Sequence, residues 1–252
     1  LDDGTWAPST PPWPEVDGMS AIHVDGEAFQ SHQTISTRDT LIGPLYLIYH
    51  EIVDANEPIG EFITRTHQAM FMKSNVAFSQ PYYARHDWAQ LMRGEVESYL
   101  KTYYYSFSGL ADRETYTFWE HYFGVSPHKT HEEAWFLMQT RWMLWFENGD
   151  TLNLLSAIPR KWLENGKVIE LREVASNFGH ISLYVKSLLQ ENQIEAKITF
   201  HDKHLVPKTV RLRLPHPEKR HPNNVVGGNY ESDSETVTVI NIEPKMSIKI
   251  FF

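Results

Sequence analysis

The stretch RETYTFWEHYFG, residues 113 to 124, sets two carboxylates, Glu114 and Glu120, among Tyr116, Phe118, Trp119, Tyr122 and Phe123, with Arg113 and His121 alongside. Cleaving a glycosidic bond by water takes two such groups, one protonated to assist the leaving oxygen and one ionised to attack or to activate water. A carboxyl beside Phe118 and Trp119 is desolvated, which raises its pKa and suits an acid unless Arg113 or His121 offsets it. If the TYTFWE part runs extended, Tyr116, Phe118 and Glu120 share one side, and Thr115, Thr117 and Trp119 the other. The same letters also describe a packed aromatic knot whose carboxylates make structural hydrogen bonds.

A second cluster, NVAFSQPYYARHDWAQ, gathers Asn75, Ser79, Gln80, Tyr82, Tyr83, Arg85, His86 and Trp88 in a short inter-helix segment. Aromatic faces take up the C–H surface of sugar rings while amides and hydroxyls read the rim. The alternative is that these rings plug the end of a helical bundle. In THEEAW, His131 and Glu132 are adjacent, but the residue four after His131 is Trp135, so no HExxH zinc motif exists. Histidines also cluster in HDKH (201–204) and HPEKRH (216–221), where solvated turns compete with metal ligation. Signatures for acyl transfer and nucleotide binding are absent from the sequence. Neither a metal nor a cofactor is expected.

Positioning these groups requires the helices read between about residues 37 and 146. RDTLIGPLYLIYHEIVDAN spaces Leu41, Leu45, Ile48 and Ile52 for one helical face, with Thr37 or Asp39 as cap and Pro44 in the first turn. PIGEFITRTHQAMFMKSN follows with Ile59, Phe62, Ile63 and Met70. HDWAQLMRGEVESYLKTYYYSFSGL reads as one helix weakened at Gly94. THEEAWFLMQTRWMLWFENGD opens on a capping box of Thr130 and Glu133, and its face His131, Trp135, Met138, Trp142, Trp145 reads as core with a polar first member.

After Gly149 the period becomes two. DTLNLLSAI, GHISLYVKS, IEAKITF, TVRLRLP, ETVTVINIE and MSIKIFF alternate between turn clusters, with Ile181, Leu183 and Val185 facing inward and Ser182, Tyr184 and Lys186 outward. AIPRKWL reads as a junction in which Pro159 stops a strand and Trp162 and Leu163 pack. The expected fold class is α+β: N-terminal α-helical hairpins of (α/α)-barrel type followed by a C-terminal antiparallel β-sandwich. The expected division is an irregular Pro/Trp-rich arm over 1–36, with Trp6 and Trp13 as anchors, a helical domain over 37–148 and a β-sandwich over 149–252.

The barrel expectation comes from a resemblance. RETYTFWEHYFG, THEEAWFLMQTRWML and GDTLNLLSAIPRKWLENGKVI together resemble the end of the catalytic domain of six-hairpin glycosidases, nearest the α-L-rhamnosidase-like group. The resemblance implies an (α/α)6 barrel followed by a β-sandwich, with Glu120 as general base of an inverting mechanism and His131 as a polar residue facing substrate. Such a barrel needs about twelve helices, and this chain supplies four or five. Together with a start at LDDGTWAPS, which lacks an initiator Met and a signal-peptide pattern, this leads to the expectation of a C-terminal portion of a longer enzyme.

Composition narrows the partners. The 252-residue chain has a formal net charge of −9 and no clustered Lys or Arg, which argues against nucleic acid. No apolar run approaches a membrane span, so a soluble chain is expected, with no membrane partner. The absence of cysteine removes thiolate chemistry and leaves the compartment open; a periplasmic or extracellular location follows only from the substrate class. The leading expectation is a glycoside hydrolase, or part of one, acting on plant or microbial polysaccharides. Its catalytic residues are Glu120 and Glu114; its substrate-binding residues are Arg113, Trp119, His121, His131, Tyr82, Tyr83, Arg85 and His86. Its partners are an oligosaccharide or polysaccharide and the missing N-terminal part of the same enzyme. A non-catalytic carbohydrate-binding or structural module is the alternative. A polysaccharide lyase drawing on Tyr82, Tyr83, His86 and His121 is a further one.

Overall fold

A computed structural model of the chain describes residues 44–73, 76–77, 80–120, 126–202 and 204–252. The arm over 1–36, the proposed caps Thr37 and Asp39, Leu41, Asn75, Ser79 and His121 lie outside the described residues. The protein is a mixed α+β chain with six helices among the described residues and two five-stranded sheets rich in antiparallel pairs. It divides into two compact units, Leu1–Gln139 and Thr140–Phe252. The division falls within the last helix rather than at the change of sequence period near Gly149.

In the first unit, α1 covers 44–49, with Pro44 opening its described part. Leu45 and Ile48 are buried as their spacing demands. The helix stops three residues before Ile52: Glu51 takes a left-handed conformation (φ 58°), Ile52 and Val53 both donate to the carbonyl of Leu47, and Ile52 is left 71% exposed. The expected stripe is therefore one residue too long. Helix α2 (Pro58–Phe71) starts with Pro at its first position, where the missing N–H costs nothing. Gly60 in its first turn lies so close to the Asp54 carbonyl that a Cβ there would collide with it.

The stretch expected as an inter-helix loop contains a short helix, and the single helix expected from residue 86 onward is two. Helix α3 (Pro81–Ala84) and α4 (His86–Met92) share Arg85 as a joint, and α5 (Val96–Leu110) begins after a break. Gly94 does more than weaken this helix; it ends α4. At φ 68° it sits one residue beyond the cap, Gly94 N–H donates to Leu91 O, and Glu95 N–H donates to Gln90 O at 2.9 Å. That is the Schellman pattern, which a left-handed residue makes possible. The buried stripe of α5 is Tyr99, Thr102, Ser106 and Leu110. Thr102 Oγ1 donates to Gln90 Oε1 and Ser106 Oγ to the Thr102 carbonyl, so both polar members are satisfied.

Helix α6 (Thr130–Leu144) carries buried Glu132, Trp135, Gln139, Trp142 and Met143, while Met138 is exposed and Trp145 has passed into a strand. Of the expected capping box, Glu133 turns elsewhere: its Oε1 accepts the N–H of Phe118 at 3.3 Å.

After α2 the first unit has a short antiparallel pair, β1 (Met72–Lys73) and β2 (Val76–Ala77), and the second unit holds two sheets. One has the order β10-β11-β8-β4-β3, the other β5-β6-β7-β12-β9. The first contains β3 (Trp145–Asn148), β4 (Thr151–Leu154), β8 (Thr209–Arg213), β10 (Asn229–Glu231) and β11 (Thr236–Val239). The second contains β5 (Val168–Ser176), β6 (Gly179–Leu188), β7 (Gln193–Phe200), β9 (Asn224–Val226) and β12 (Lys245–Phe251). Alternation on β6 is as read: Ile181, Leu183 and Val185 are buried while Tyr184 and Lys186 are exposed. One pair departs from the antiparallel expectation, since β4 runs parallel to β8. β3, β5, β9 and β10 have no counterpart among the expected strands. β3 reads as the tail of α6, and the alternation of β5 is interrupted by a bulge between Leu171 and Val174, with Glu173 at φ 48°. In the AIPRKWL junction, β4 ends at Leu154, well before Pro159. Arg160–Leu163 form a 3-10 turn in which Leu163 is fully buried and Trp162 is 37% exposed.

Candidate functional site

The TYTFWE segment is not extended. Residues 111–118 close a small loop: Ala111 bridges Phe118, Asp112 N–H donates to Thr117 O, and Tyr116 N–H donates to Asp112 O. Tyr116 is left-handed (φ 58°) and 91% exposed, while Phe118 is buried against Phe107 and Phe136. The sequence alternation therefore does not place Tyr116, Phe118 and Glu120 on one side. Two N–H donors, from Glu114 and Thr115, converge on Asp112 Oδ1 and hold that carboxyl below its usual range. Asp112 thus shapes the turn, and Arg113 and Glu114 stand exposed on it, their side chains making no hydrogen bond or ion pair among the described residues. Trp119 is half-buried.

Glu120, at the other end of the segment, is differently placed. Its carboxylate is 3.1 Å from Lys129 Nζ, its N–H donates to Ser126 O, and its own carbonyl accepts Gln80 Nε2 at 2.7 Å. The same Gln80 amide reaches Glu132 Oε1 at 3.2 Å. Gln80 therefore joins the loop carrying Glu120 to the first turn of α6.

Glu132 is the group with the most altered chemistry here. Its side chain is almost wholly buried, and burial pushes its pKa up to about 8; the negative charge of Glu120 adds to the effect and Arg85 opposes it. At neutral pH Glu132 is a carboxylic acid, with a proton to give. A second buried carboxyl also has its pKa raised. Asp87 on α4 is fully buried, its Oδ2 accepts the indole N–H of Trp135 at 2.9 Å, and burial raises its pKa to about 7 against the pull of Trp135 and Arg85.

Around these carboxyls stands an aromatic bank. Arg85 lies 3.9 Å from the Trp135 ring centre and 4.7 Å from that of Tyr82, with Tyr49 and Tyr46 slightly further off. His131 packs on Tyr82 with ring centres 4.4 Å apart, and on Tyr83 at 6.3 Å. The expected binding residues Tyr82, Tyr83, Arg85 and His131 are thus brought together, near Glu120 through Gln80. His86 points the other way: it is fully buried against His67, ring centres 4.5 Å apart, and desolvation holds it neutral. A histidine so placed packs the core.

Asp87 and Glu132 were not singled out as catalytic candidates from sequence. The only signal for Glu132 is its place beside His131 in the first turn of α6. For Asp87 there is none, because the letters HDWAQL do not announce that all six residues are buried.

The turn histidines make ordinary partners. His201 Nε2 hydrogen-bonds Ser182 Oγ, His221 Nδ1 hydrogen-bonds Ser232 Oγ, and His216 Nδ1 accepts the N–H of Glu218. Among the described residues, no group of three or more His, Asp or Glu side chains could hold a metal ion. The chain matches no protein-family model, no curated protein and no solved structure.

Proposed function

We propose that the chain hydrolyses glycosidic bonds, or forms the C-terminal portion of an enzyme that does, with Glu132 as proton donor and Glu120 as its ionised partner. The observation that carries this reading is the divergence of two neighbouring carboxyl groups: Glu132 stays protonated to about pH 8, while Glu120 is ion-paired with Lys129. Glycosidase chemistry needs such a pair. Protonated Glu132 would deliver its proton to the leaving oxygen as the bond to the anomeric carbon breaks. Ionised Glu120 would take a proton from the attacking water. Tyr82, Tyr83 and His131 supply ring faces and rim donors of the kind that hold sugars. This assigns the acid, as well as the base, to this chain.

The same reading carries the finer architecture. The two sheets of the second unit would be the layers of a sandwich, since both present rows of fully buried residues, Leu152, Leu154, Val210 and Leu212 on one and Ile181, Leu183, Ile194 and Ile248 on the other. The helices of the first unit would be the end of an (α/α) barrel, supported by the sequence resemblance.

Kinetics of two variants on two leaving groups test the assignment. Glu132→Gln should lower turnover by roughly a hundredfold or more on a glycoside with a sugar leaving group, and much less on an aryl glycoside whose leaving group departs without a proton. Glu120→Gln should be slow on both. Near-normal turnover in both variants on the sugar substrate would sink the proposal. A second reading, a carbohydrate-binding module without catalysis, is favoured by the near-complete burial of Glu132 and Asp87, as structural acids would be. Glycan binding with no turnover in any longer form of the protein would select it.

A further inference from the structure

Arg85 brings a positive charge to the site and forms no ion pair among the described residues. Its Nε and Nη1 are buried and make no hydrogen bond. The two carboxyls that feel its field, Asp87 and Glu132, are both buried, and burial pushes the pKa of each up, to about 7 and about 8. The guanidinium lies over the rings of Trp135 and Tyr82, which offer Nε and Nη1 no acceptor. Charged donor nitrogens withdrawn from water without an acceptor are costly, so such an arrangement calls for one.

The backbone points the same way. Arg85 ends α3 and starts α4 in a left-handed conformation, φ 59° and ψ 13°, with its N–H donating to Pro81 O at 2.8 Å. Glycine takes that conformation without strain and arginine does not. Glycine would meet the torsion of this joint without that cost.

We infer that Arg85 receives the carboxylate of an acidic sugar, so that the glycan bound at this site contains a uronic acid. This rests on the carbohydrate reading above and adds the substrate class to it. A planar guanidinium offers parallel donors that match the two oxygens of a carboxylate, and the arriving carboxylate supplies the acceptors that Nε and Nη1 lack. A neutral sugar would bring no charge to pair with the guanidinium. Tyr82, shared between Arg85 and His131, links the charge-binding end of the site to the ring-binding end.

Binding to the full chain, followed through the indole N–H resonance of Trp135, tests this. Oligogalacturonides and glucuronate-containing disaccharides are compared with their neutral counterparts and with inorganic sulfate. Uronates should bind at least tenfold tighter than the neutral sugars, and Arg85→Gly should abolish that preference. Glycine relaxes the strained φ, so this variant is expected to fold, as circular dichroism would report; Arg85→Lys, which keeps the charge but not the fork, should retain only part of the preference. Equal binding of neutral and acidic sugars overturns the assignment of Arg85 while the carbohydrate reading survives. If no glycan binds, or only sulfate does, both fall.

Discussion

Replacing Glu132 by Gln should make the protein more stable at pH 8 and change it little at pH 5. Burial raises the folded-state pKa of Glu132 from 4.5 to about 8, so between those values the folded chain holds a proton that the unfolded chain has released. The stability associated with that proton is complete below pH 4.5 and is lost as pH rises through about 8. Each pH unit in this window costs about 1.4 kcal/mol at most. From pH 5 to 8 the loss is therefore roughly 2 to 4 kcal/mol, the lower figure allowing for solvent screening.

Gln carries no titrating proton and can still accept from Gln80, so it removes the pH dependence without emptying the space. The wild type has an opposing term. His67, desolvated to a pKa of about 3, and His86, held well below 6.5, are neutral in the folded chain and protonate on unfolding in acid, so they favour folding more as pH rises toward 6.5. Two histidines and two buried acids thus nearly cancel between about pH 4.5 and 6.5, and above 6.5 only the acids act. Wild-type stability should accordingly be flat in mild acid and fall from pH 6.5 to 8. Urea unfolding followed by the helical circular dichroism signal, at pH 5, 6, 7 and 8, gives the difference between variant and wild type. A difference that stays constant across that range refutes the protonated state of Glu132, and with it the proton donor.

Other substitutions probe the framework. Gly94→Ala forces a Cβ residue into φ 68° at the end of α4 and should cost about 1 kcal/mol in urea unfolding. Tyr99→Phe removes the buried hydroxyl that donates to Gln139 O at 2.6 Å, leaving that carbonyl without this donor, and should cost roughly 1 to 3 kcal/mol. Glu235→Ala strips the carboxylate that pairs both Arg160 and Arg213, the latter nearly buried, and should lower stability by about 3 to 5 kcal/mol in urea unfolding. Asp87→Asn keeps the acceptor for Trp135 and removes a second titrating group; infrared difference spectra should lose a protonated carboxyl band near neutral pH.

What the sequence determined by itself is periodicity. Alternation at Ile181, Leu183 and Val185 fixes which face of β6 is buried, and the spacing of Leu45 and Ile48 fixes the inward side of α1, because side-chain direction follows from the local backbone period. The sequence also sets Tyr82, Tyr83 and Arg85 in one short stretch, but that His131 packs on Tyr82 is decided by the fold. Tertiary structure decided the rest. Whether Gly94 weakens a helix or ends one depends on a backbone torsion that the letters do not carry. Whether RETYTFWE is a strand or a loop depends on Asp112 collecting two N–H donors and on Phe118 finding Phe107 and Phe136. Most of all, a carboxyl acquires its pKa from what surrounds it in space. Glu114 and Glu120 stand in one segment with similar neighbours in sequence, yet one is exposed on a turn and the other is paired with Lys129. Glu132 becomes an acid at neutral pH only because the fold removes water from it and sets Glu120 nearby.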